Sequence, residues 1–233
     1  MNFRLPAVCT QWSLLVCALL LSACLAPTTT NSLYTLQPIR QQPLGHEFSD
    51  FKEIILLMPV QLAPHLQGRG LINQRSSGEA SASANHLWAG PLDQQIGQQI
   101  VANLKDLLAT DNVAVYPGPR FGDLRYQLEV EMNEFSGNDG SFTTTAVYTL
   151  SDTTNKAILQ RKTFRQTQPI DKRDYSGYVT RASQAIADLS KEAATALLAA
   201  RRSQPTPPLC AHDNCTYRPV RLCPAGPHPS GDG

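Results

Sequence analysis

Cys24 is the residue of this sequence whose surroundings indicate the most specific chemistry, since its thiol ends an apolar run in the stretch LLLSACLAP, residues 19–27. Before Cys24 the only charges are Arg4 and the terminal amine, and the apolar run 12–23 is about a dozen residues long. A helix needs ~20 apolar residues to span a bilayer. A short positive start, a brief apolar run and small residues before a cleavage point are the features of a secretory signal.

The residues Leu21-Ser22-Ala23-Cys24 resemble the bacterial lipobox. In that motif the thiol is joined to diacylglycerol, the chain is cut before the cysteine, and the new amine is acylated. Two or three acyl chains meet the requirement for stable anchoring, because each buried methylene contributes ~0.8 kcal/mol. The alternative is an ordinary signal peptide cut near Ala23, which leaves Cys24 free. We predict a signal peptide over 1–23 and a diacylglycerol and N-acyl anchor on Cys24, with no other cofactor.

The remaining chain divides into three parts by composition. Residues 24–32 are the lipidated cysteine and a short polar tether, 33–202 have the patterning of one α+β domain, and 203–233 are rich in proline, as disordered tails are. The net charge of +1 gives no electrostatic footprint for nucleic acid.

Three of the six cysteines, Cys210, Cys215 and Cys223, lie in the tail. Their spacing matches no common zinc finger. In an oxidising periplasm a disulfide such as Cys210–Cys215, with one thiol left over, is favoured over a metal site. The state of these cysteines stays open.

The hydrophobic pattern of residues 33–202 predicts the order strand, strand, helix, strand, three-strand meander, helix. The predicted strands are 33–38, 53–62, 113–117, 123–135, 141–152 and 156–166, and the predicted helices start at Pro91, after a Gly90 cap, and at Tyr175. Residues 63–85 are predicted to form a long connection, with a short strand around Leu71 as an option, and 136–140 a turn. This order implies a mixed, largely antiparallel sheet with both helices on one face.

No motif for catalysis or metal binding stands out. Glu129, Glu131 and Glu134 could suggest paired catalytic carboxylates, but Glu129 and Glu131 alternate with apolar residues, which favours a solvated face of a strand. The sequence has no nucleophile elbow, phosphate loop or His-Glu-x-x-His motif. We therefore predict neither a catalytic residue nor a metal ligand.

The segment 63–90 is the predicted contact region for a partner, with Arg69, Leu71, Ile72 and Trp88 as its candidate residues. A long connection in a compact domain is often functional. A tryptophan just before a helix packs against the sheet more often than it anchors an interface, so both roles stay open for Trp88.

The whole pattern resembles the PqiC-like (paraquat-inducible protein C-like) family of ABC-type transport auxiliary lipoproteins, over roughly residues 20–200. The residues that carry the resemblance are the lipobox, Tyr34-Thr35-Leu36, Met58-Pro59-Val60, Arg69-Gly70-Leu71-Ile72, Trp88-Ala89-Gly90-Pro91-Leu92, Tyr126-Gln127-Leu128-Glu129-Val130, and the last helix from Tyr178 through Leu189-Ser190. Gly90 departs from the acidic residue that is common there, and the cysteine-rich tail lies outside the resemblance.

The resemblance implies a non-enzymatic lipoprotein at the inner leaflet of the outer membrane, facing the periplasm. Its partners would be an inner-membrane MCE-domain (mammalian cell entry) protein and the associated permease and ATPase, which move phospholipids or other apolar molecules between the membranes. The lipoprotein would dock the outer end of that system, with a ring-forming homo-oligomer as an open option. An alternative function is an outer-membrane lipoprotein that activates a peptidoglycan synthase.

Overall fold

The structure is a computed structural model that describes residues 30–203, apart from 51, 76, 119–121, 139 and 172–173. The predicted signal peptide, Cys24, most of the tether and the tail from 204 lie outside the described residues. The described part has an α+β fold, as predicted. Among its helices, none is both long and apolar enough to cross a bilayer.

The described residues form a mixed sheet of nine strands, two α-helices and a short 3-10 helix at Pro64–Leu66. The strands are β1 (Ser32–Tyr34), β2 (Ile54–Leu57), β3 (Gln61–Leu62), β4 (Gly70–Gln74), β5 (Ala80–Trp88), β6 (Val113–Val115), β7 (Leu124–Asn138), β8 (Ser141–Asp152) and β9 (Ala157–Pro169). The helices are α1 (Leu92–Leu108) and α2 (Tyr175–Ser203).

The long strand β7 holds the sheet together through both of its edges. On one edge it pairs in parallel with β2, β3 and β4, which follow one another along it. On the other edge it pairs antiparallel with β8, which in turn pairs antiparallel with β9. Strand β6 lies beyond β2, and β5 and then β1 lie beyond β4. The two longest ladders are thus antiparallel, while the parallel ladders are short.

The predicted alternation of β7 is confirmed for Tyr126, Leu128, Val130 and Met132, all of which are buried. The register then shifts between Met132 and Glu134. Such a bulge inserts one extra residue and reverses which residues face the core. Phe135 therefore turns inward and is 1% exposed.

Both helices pack on the same face of the sheet and against each other. The apolar stripe predicted for α2 is confirmed, because all of its members are buried (Tyr178, Ala182, Ala185, Ile186, Leu189, Ala193, Ala196, Leu197). In α1, Gly97 faces β2, since a Cβ there would lie 3.8 Å from Leu57 and Val60. Asn103 of α1 donates a hydrogen bond to the Ser190 hydroxyl of α2 at 3.2 Å.

The prediction of a long connection over 63–85 is wrong, although the short strand that was an option around Leu71 is present as β4. This segment contains the 3-10 helix and the strands β4 and β5, which pair antiparallel as a hairpin. The alternating alanines and serines that begin β5 give almost no hydrophobic signal, and most of these residues are exposed. Pairing with β4 on one side and with β1 on the other makes this segment a strand.

Two other predicted boundaries are also wrong. The segment 53–62 is two strands, because Pro59 lies between them and proline cannot donate to a ladder. The predicted turn 136–140 is shorter, since β7 continues to Asn138 and pairs there with Ser141.

The Gly137→Ala substitution is expected to lower the free energy of unfolding by ~1–3 kcal/mol, because it overpacks a filled site. The added Cβ would lie 2.8 Å from the Tyr178 ring and 2.9 Å from the Asn73 Oδ1. Gly68→Ala is the matched control, since no atom lies within 4 Å of a Cβ at that position. Denaturant unfolding of the variants measures both effects, and a wild-type stability for Gly137→Ala would contradict the packing described here.

Candidate functional site

Three of the four residues predicted to contact a partner belong to the core. Trp88 is 1% exposed, Leu71 0% and Ile72 6%. The Trp88 ring packs near the Phe135 and Tyr178 rings, with centroids 6.3 Å apart in both cases. Of the two roles left open for Trp88, its side chain therefore has the packing role in the core. The role of segment 63–90 in partner binding stays a prediction.

Arg69 is the exposed member of the predicted set. Its Nη2 donates a hydrogen bond to the Trp88 carbonyl at 3.4 Å, and its own carbonyl accepts one from the Trp88 amide at 2.7 Å. The guanidinium lies at a groove of about 470 Å³ that also includes Leu62, Pro91 and Asp93. Of the four predicted contact residues, only Arg69 presents its side chain at this groove.

Helix α1 begins at this groove without a side-chain cap. Pro91 is the N-cap residue, one position after the predicted Gly90, and it makes no side-chain capping hydrogen bond. The first turn of a helix has backbone N–H groups without intrahelical partners and the positive end of the dipole. Asp93 supplies one negative charge in that turn.

The acidic residues of β7 lie on the sheet face opposite the helices, as predicted. Glu131 forms an ion pair with Arg161 of β9 at 3.4 Å, and Glu134 accepts a hydrogen bond from Thr145 at 3.3 Å. Glu129 accepts one from Gln127 at 2.8 Å. These contacts support a solvated, charge-balanced face rather than a pair of carboxylates that share a proton.

Tyr178 links the hairpin, β7 and α2. Its hydroxyl lies within hydrogen-bond distance of two carbonyls, at 3.0 Å from Ile72 and 3.3 Å from Phe135. Burial raises the pKa of this hydroxyl above its ordinary value, which keeps it protonated and able to donate. Its ring packs edge-on against Phe142 with centroids 4.8 Å apart.

An aromatic cluster beside Tyr178 joins the first strand of the domain to the start of α2. The Tyr34 hydroxyl lies 2.9 Å from the His86 Nδ1, and the His86 ring stacks on Tyr175 at 3.5 Å between centroids. This cluster was not predicted from the sequence. Its three residues come from β1, β5 and α2, and nothing in their sequence spacing connects them.

A second cavity, of about 380 Å³, opens between the β4–β5 hairpin and the start of α2. Its lining includes Asn73, Arg75, Ser81, Asp171, Tyr175 and Tyr178. This cavity was not predicted from the sequence either. Within the described residues there is no group of three or more histidine, cysteine, aspartate or glutamate side chains placed to hold a metal ion.

Comparison with known proteins identifies the family. The model of the family described as the ABC-type transport auxiliary lipoprotein component matches residues 34–194. The intermembrane transport lipoprotein PqiC of Escherichia coli K12 is 31% identical over 127 residues, which cover 54% of this chain and 66% of the relative. The aligned region thus spans just under two thirds of the length of that relative.

Two crystal structures share the fold. One is an uncharacterized protein with a TM-score of 0.60 and 25% identity, covering 72% of this chain and 99% of that chain. The other is a protein of Xanthomonas campestris with a TM-score of 0.63 and 15% identity, covering 75% and 99%. At 15% identity, the similarity to the Xanthomonas campestris protein shows a shared fold and nothing further.

The chain belongs to the family of ABC-type transport auxiliary lipoproteins, because the family model covers well over half of it. The resemblance noted in the sequence is therefore confirmed.

The Tyr178→Phe variant is expected to lose ~1–3 kcal/mol of unfolding free energy, because it removes a buried donor and leaves the Ile72 and Phe135 carbonyls without it. The control is Tyr116→Phe, whose ring is 51% exposed. Thermal and denaturant unfolding measure the difference. If both variants unfold like the wild type, the Tyr178 hydroxyl does not hold the hairpin to α2.

Proposed function

We propose that this lipoprotein is anchored by Cys24 in the inner leaflet of the outer membrane and docks the outer end of an MCE-type transport system. Its partner is an inner-membrane MCE-domain protein, which acts with a permease and an ATPase to carry phospholipids or other apolar molecules between the membranes. The protein takes part by binding and positioning rather than by catalysis. The observation that carries this proposal is the family match over residues 34–194, which includes nearly all of the described domain.

The sequence before the domain supports the anchor. Leu21-Ser22-Ala23-Cys24 has the pattern of a lipidation signal, and Leu25 permits export to the outer membrane. The printed name of the E. coli relative, an intermembrane transport lipoprotein, describes a role between two membranes.

The direction of β1 indicates which end of the domain is nearer to the proposed anchor on Cys24. Strand β1 is parallel to β5, β5 is antiparallel to β4, and β4 is parallel to β7. The start of β1 therefore lies toward the end of the domain where β7 finishes. This end is formed by the β4–β5 turn, the β7–β8 turn and the start of α2, and we call it the hairpin end.

Covalent geometry limits how far the hairpin end can stand from the lipid. Ser32 is the first residue of β1 and follows Cys24 by eight positions. A chain of that length spans at most about 30 Å when fully extended. Helix α2, with 29 residues, is about 44 Å long and starts at the hairpin end. The short tether and the direction of β1 therefore favour an arrangement in which the hairpin end faces the membrane, if Cys24 is the anchor.

The groove that includes Arg69, Leu62, Pro91 and Asp93 is our candidate for the partner surface. It combines the Arg69 cation of segment 63–90 with the apolar residues Leu62 and Pro91 and the uncapped start of α1, which flank that segment. Leu71, Ile72 and Trp88 contribute to this surface indirectly. They are buried in the core and stabilise the strands that support it.

Recovery of crosslinked partners from cells that make the lipoprotein tests the proposal. The wild type should recover an MCE-domain protein by mass spectrometry, and Cys24→Ala should lower the recovery by about tenfold, since an anchor raises the effective concentration at the membrane. Cys17→Ala is the matched control, because Cys17 lies in the predicted signal peptide but outside the lipidation pattern. It should behave as the wild type.

Two results of this experiment contradict the proposal. Recovery of a penicillin-binding protein without an MCE-domain protein favours the peptidoglycan synthase alternative. Recovery that is equal for Cys24→Ala and the wild type shows that the anchor is not needed for docking.

A further inference from the structure

We propose that the cavity at the hairpin end binds the zwitterionic headgroup of a phospholipid, such as phosphoethanolamine. The inference rests on the proposed function in one respect, since the anchor on Cys24 is what brings this end of the domain to a lipid surface. It adds a ligand site to the protein, distinct from the groove beside Arg69.

The cavity has the size and construction of a small-ligand site. Its volume of about 380 Å³ lies within the range of ~300–1,000 Å³ that is typical of such pockets. Tyr178 lines it and is held in place by its hydrogen bonds to the Ile72 and Phe135 carbonyls. Asn73 and Ser81 line it from the two strands of the hairpin, and the Ser81 hydroxyl bonds the Asn73 carbonyl at 3.3 Å.

The charges at the cavity have both signs and come from different elements. Arg75 lies on the hairpin, where its Nη1 contacts Glu79 at 2.9 Å. A guanidinium has five N–H donors, so this single contact leaves donors for phosphate oxygens. Asp171 and Asp174 line the cavity just before α2.

A ligand with both a phosphate and an ammonium group matches this arrangement. A simple anion meets Arg75 together with the carboxylates of Asp171 and Asp174, which repel it. A simple cation satisfies the aspartates but leaves the remaining N–H donors of Arg75 without an acceptor. A zwitterion places its phosphate at the arginine and its ammonium at the aspartates.

The cavity lies next to the strand that leads to the anchor. Tyr175 lines the cavity and stacks on His86, and the His86 Nδ1 lies 2.9 Å from the Tyr34 hydroxyl of β1. Because Cys24 is at most about 30 Å of extended chain from Ser32, headgroups of the anchoring membrane are within reach of this end.

Titration of the full-length lipidated protein in detergent with water-soluble headgroups tests the inference. The probes are glycerophosphoethanolamine, glycerophosphoglycerol and inorganic phosphate, and the binding of each is measured from the broadening of its signal in phosphorus NMR. We expect glycerophosphoethanolamine to bind with a dissociation constant on the order of millimolar, as suits so small a ligand, and about tenfold more tightly than either other probe.

Two substitutions on the hairpin form a matched pair. Ser81→Trp fills the cavity from an exposed position and should weaken glycerophosphoethanolamine binding by about tenfold or more. Ser77→Trp adds the same side chain in the exposed turn, outside the cavity lining, and should bind as the wild type.

Asp171→Asn is a second variant that tests the inference if Ser81→Trp fails to fold. It should weaken glycerophosphoethanolamine binding while leaving phosphate binding unchanged or stronger, because it removes a negative charge. Absence of glycerophosphoethanolamine binding by the folded wild type overturns the inference. Equal affinity for all three probes, or equal loss in both tryptophan variants, also overturns it.

The probe is soluble and needs neither the anchor nor a partner. Headgroup binding without recovery of an MCE-domain protein therefore contradicts the proposed function alone. Recovery of that partner without headgroup binding contradicts this inference alone.

Discussion

The hydrogen-bonding capacity of the two edges of β7 is the constraint on which the rest of the structure depends. Strands β2, β3 and β4 are too short to form a sheet by themselves, and all three are fixed in direction by parallel pairing with β7. On its other edge β7 fixes β8, and through it β9. Since the buried side chains of β7 alternate, the same strand also decides which face receives the two helices.

The bulge in β7 determines how side chains pack at the hairpin end of the domain. One extra residue at Asn133 turns Phe135 inward and places Gly137, without a side chain, beneath Tyr178. The Tyr178 hydroxyl can then reach carbonyls of both β4 and β7. Helix α2, the β4–β5 hairpin and the sheet are thereby joined at the hairpin end, which is where the cavity and the entry of β1 are found.

Strong local patterns made much of this fold predictable. The alternation in β7, the threonine-rich β8 and the apolar stripes of both helices each need only neighbouring residues to be recognised. The β4–β5 hairpin was not predictable in this way, because β5 is polar and gains its structure from pairing with β1 and β4. The bulge was missed for a similar reason, since nothing in the local sequence marks Asn133 as an extra residue.

The candidate functional residues likewise differ in whether the local sequence is enough to predict them. The predicted lipidation of Cys24 rests on four consecutive residues, so a local sequence pattern is enough to propose it. Leu71 and Ile72 were predicted as contact residues because most of their segment was interpreted as a long connection, and the hairpin instead places them in the core. Trp88, for which packing and interface roles were both open, is buried as well. The cavity and the Tyr34–His86–Tyr175 cluster combine distant segments, and only the folded chain brings these together.

Amide hydrogen exchange of the lipidated protein, compared between phosphatidylethanolamine-containing vesicles and detergent, tests the central claim most directly. If Cys24 anchors the domain with its hairpin end toward the membrane, exchange in vesicles slows at the β4–β5 turn and stays unchanged at the β8–β9 turn. Slower exchange at the β8–β9 turn, with no change at the β4–β5 turn, would contradict the account.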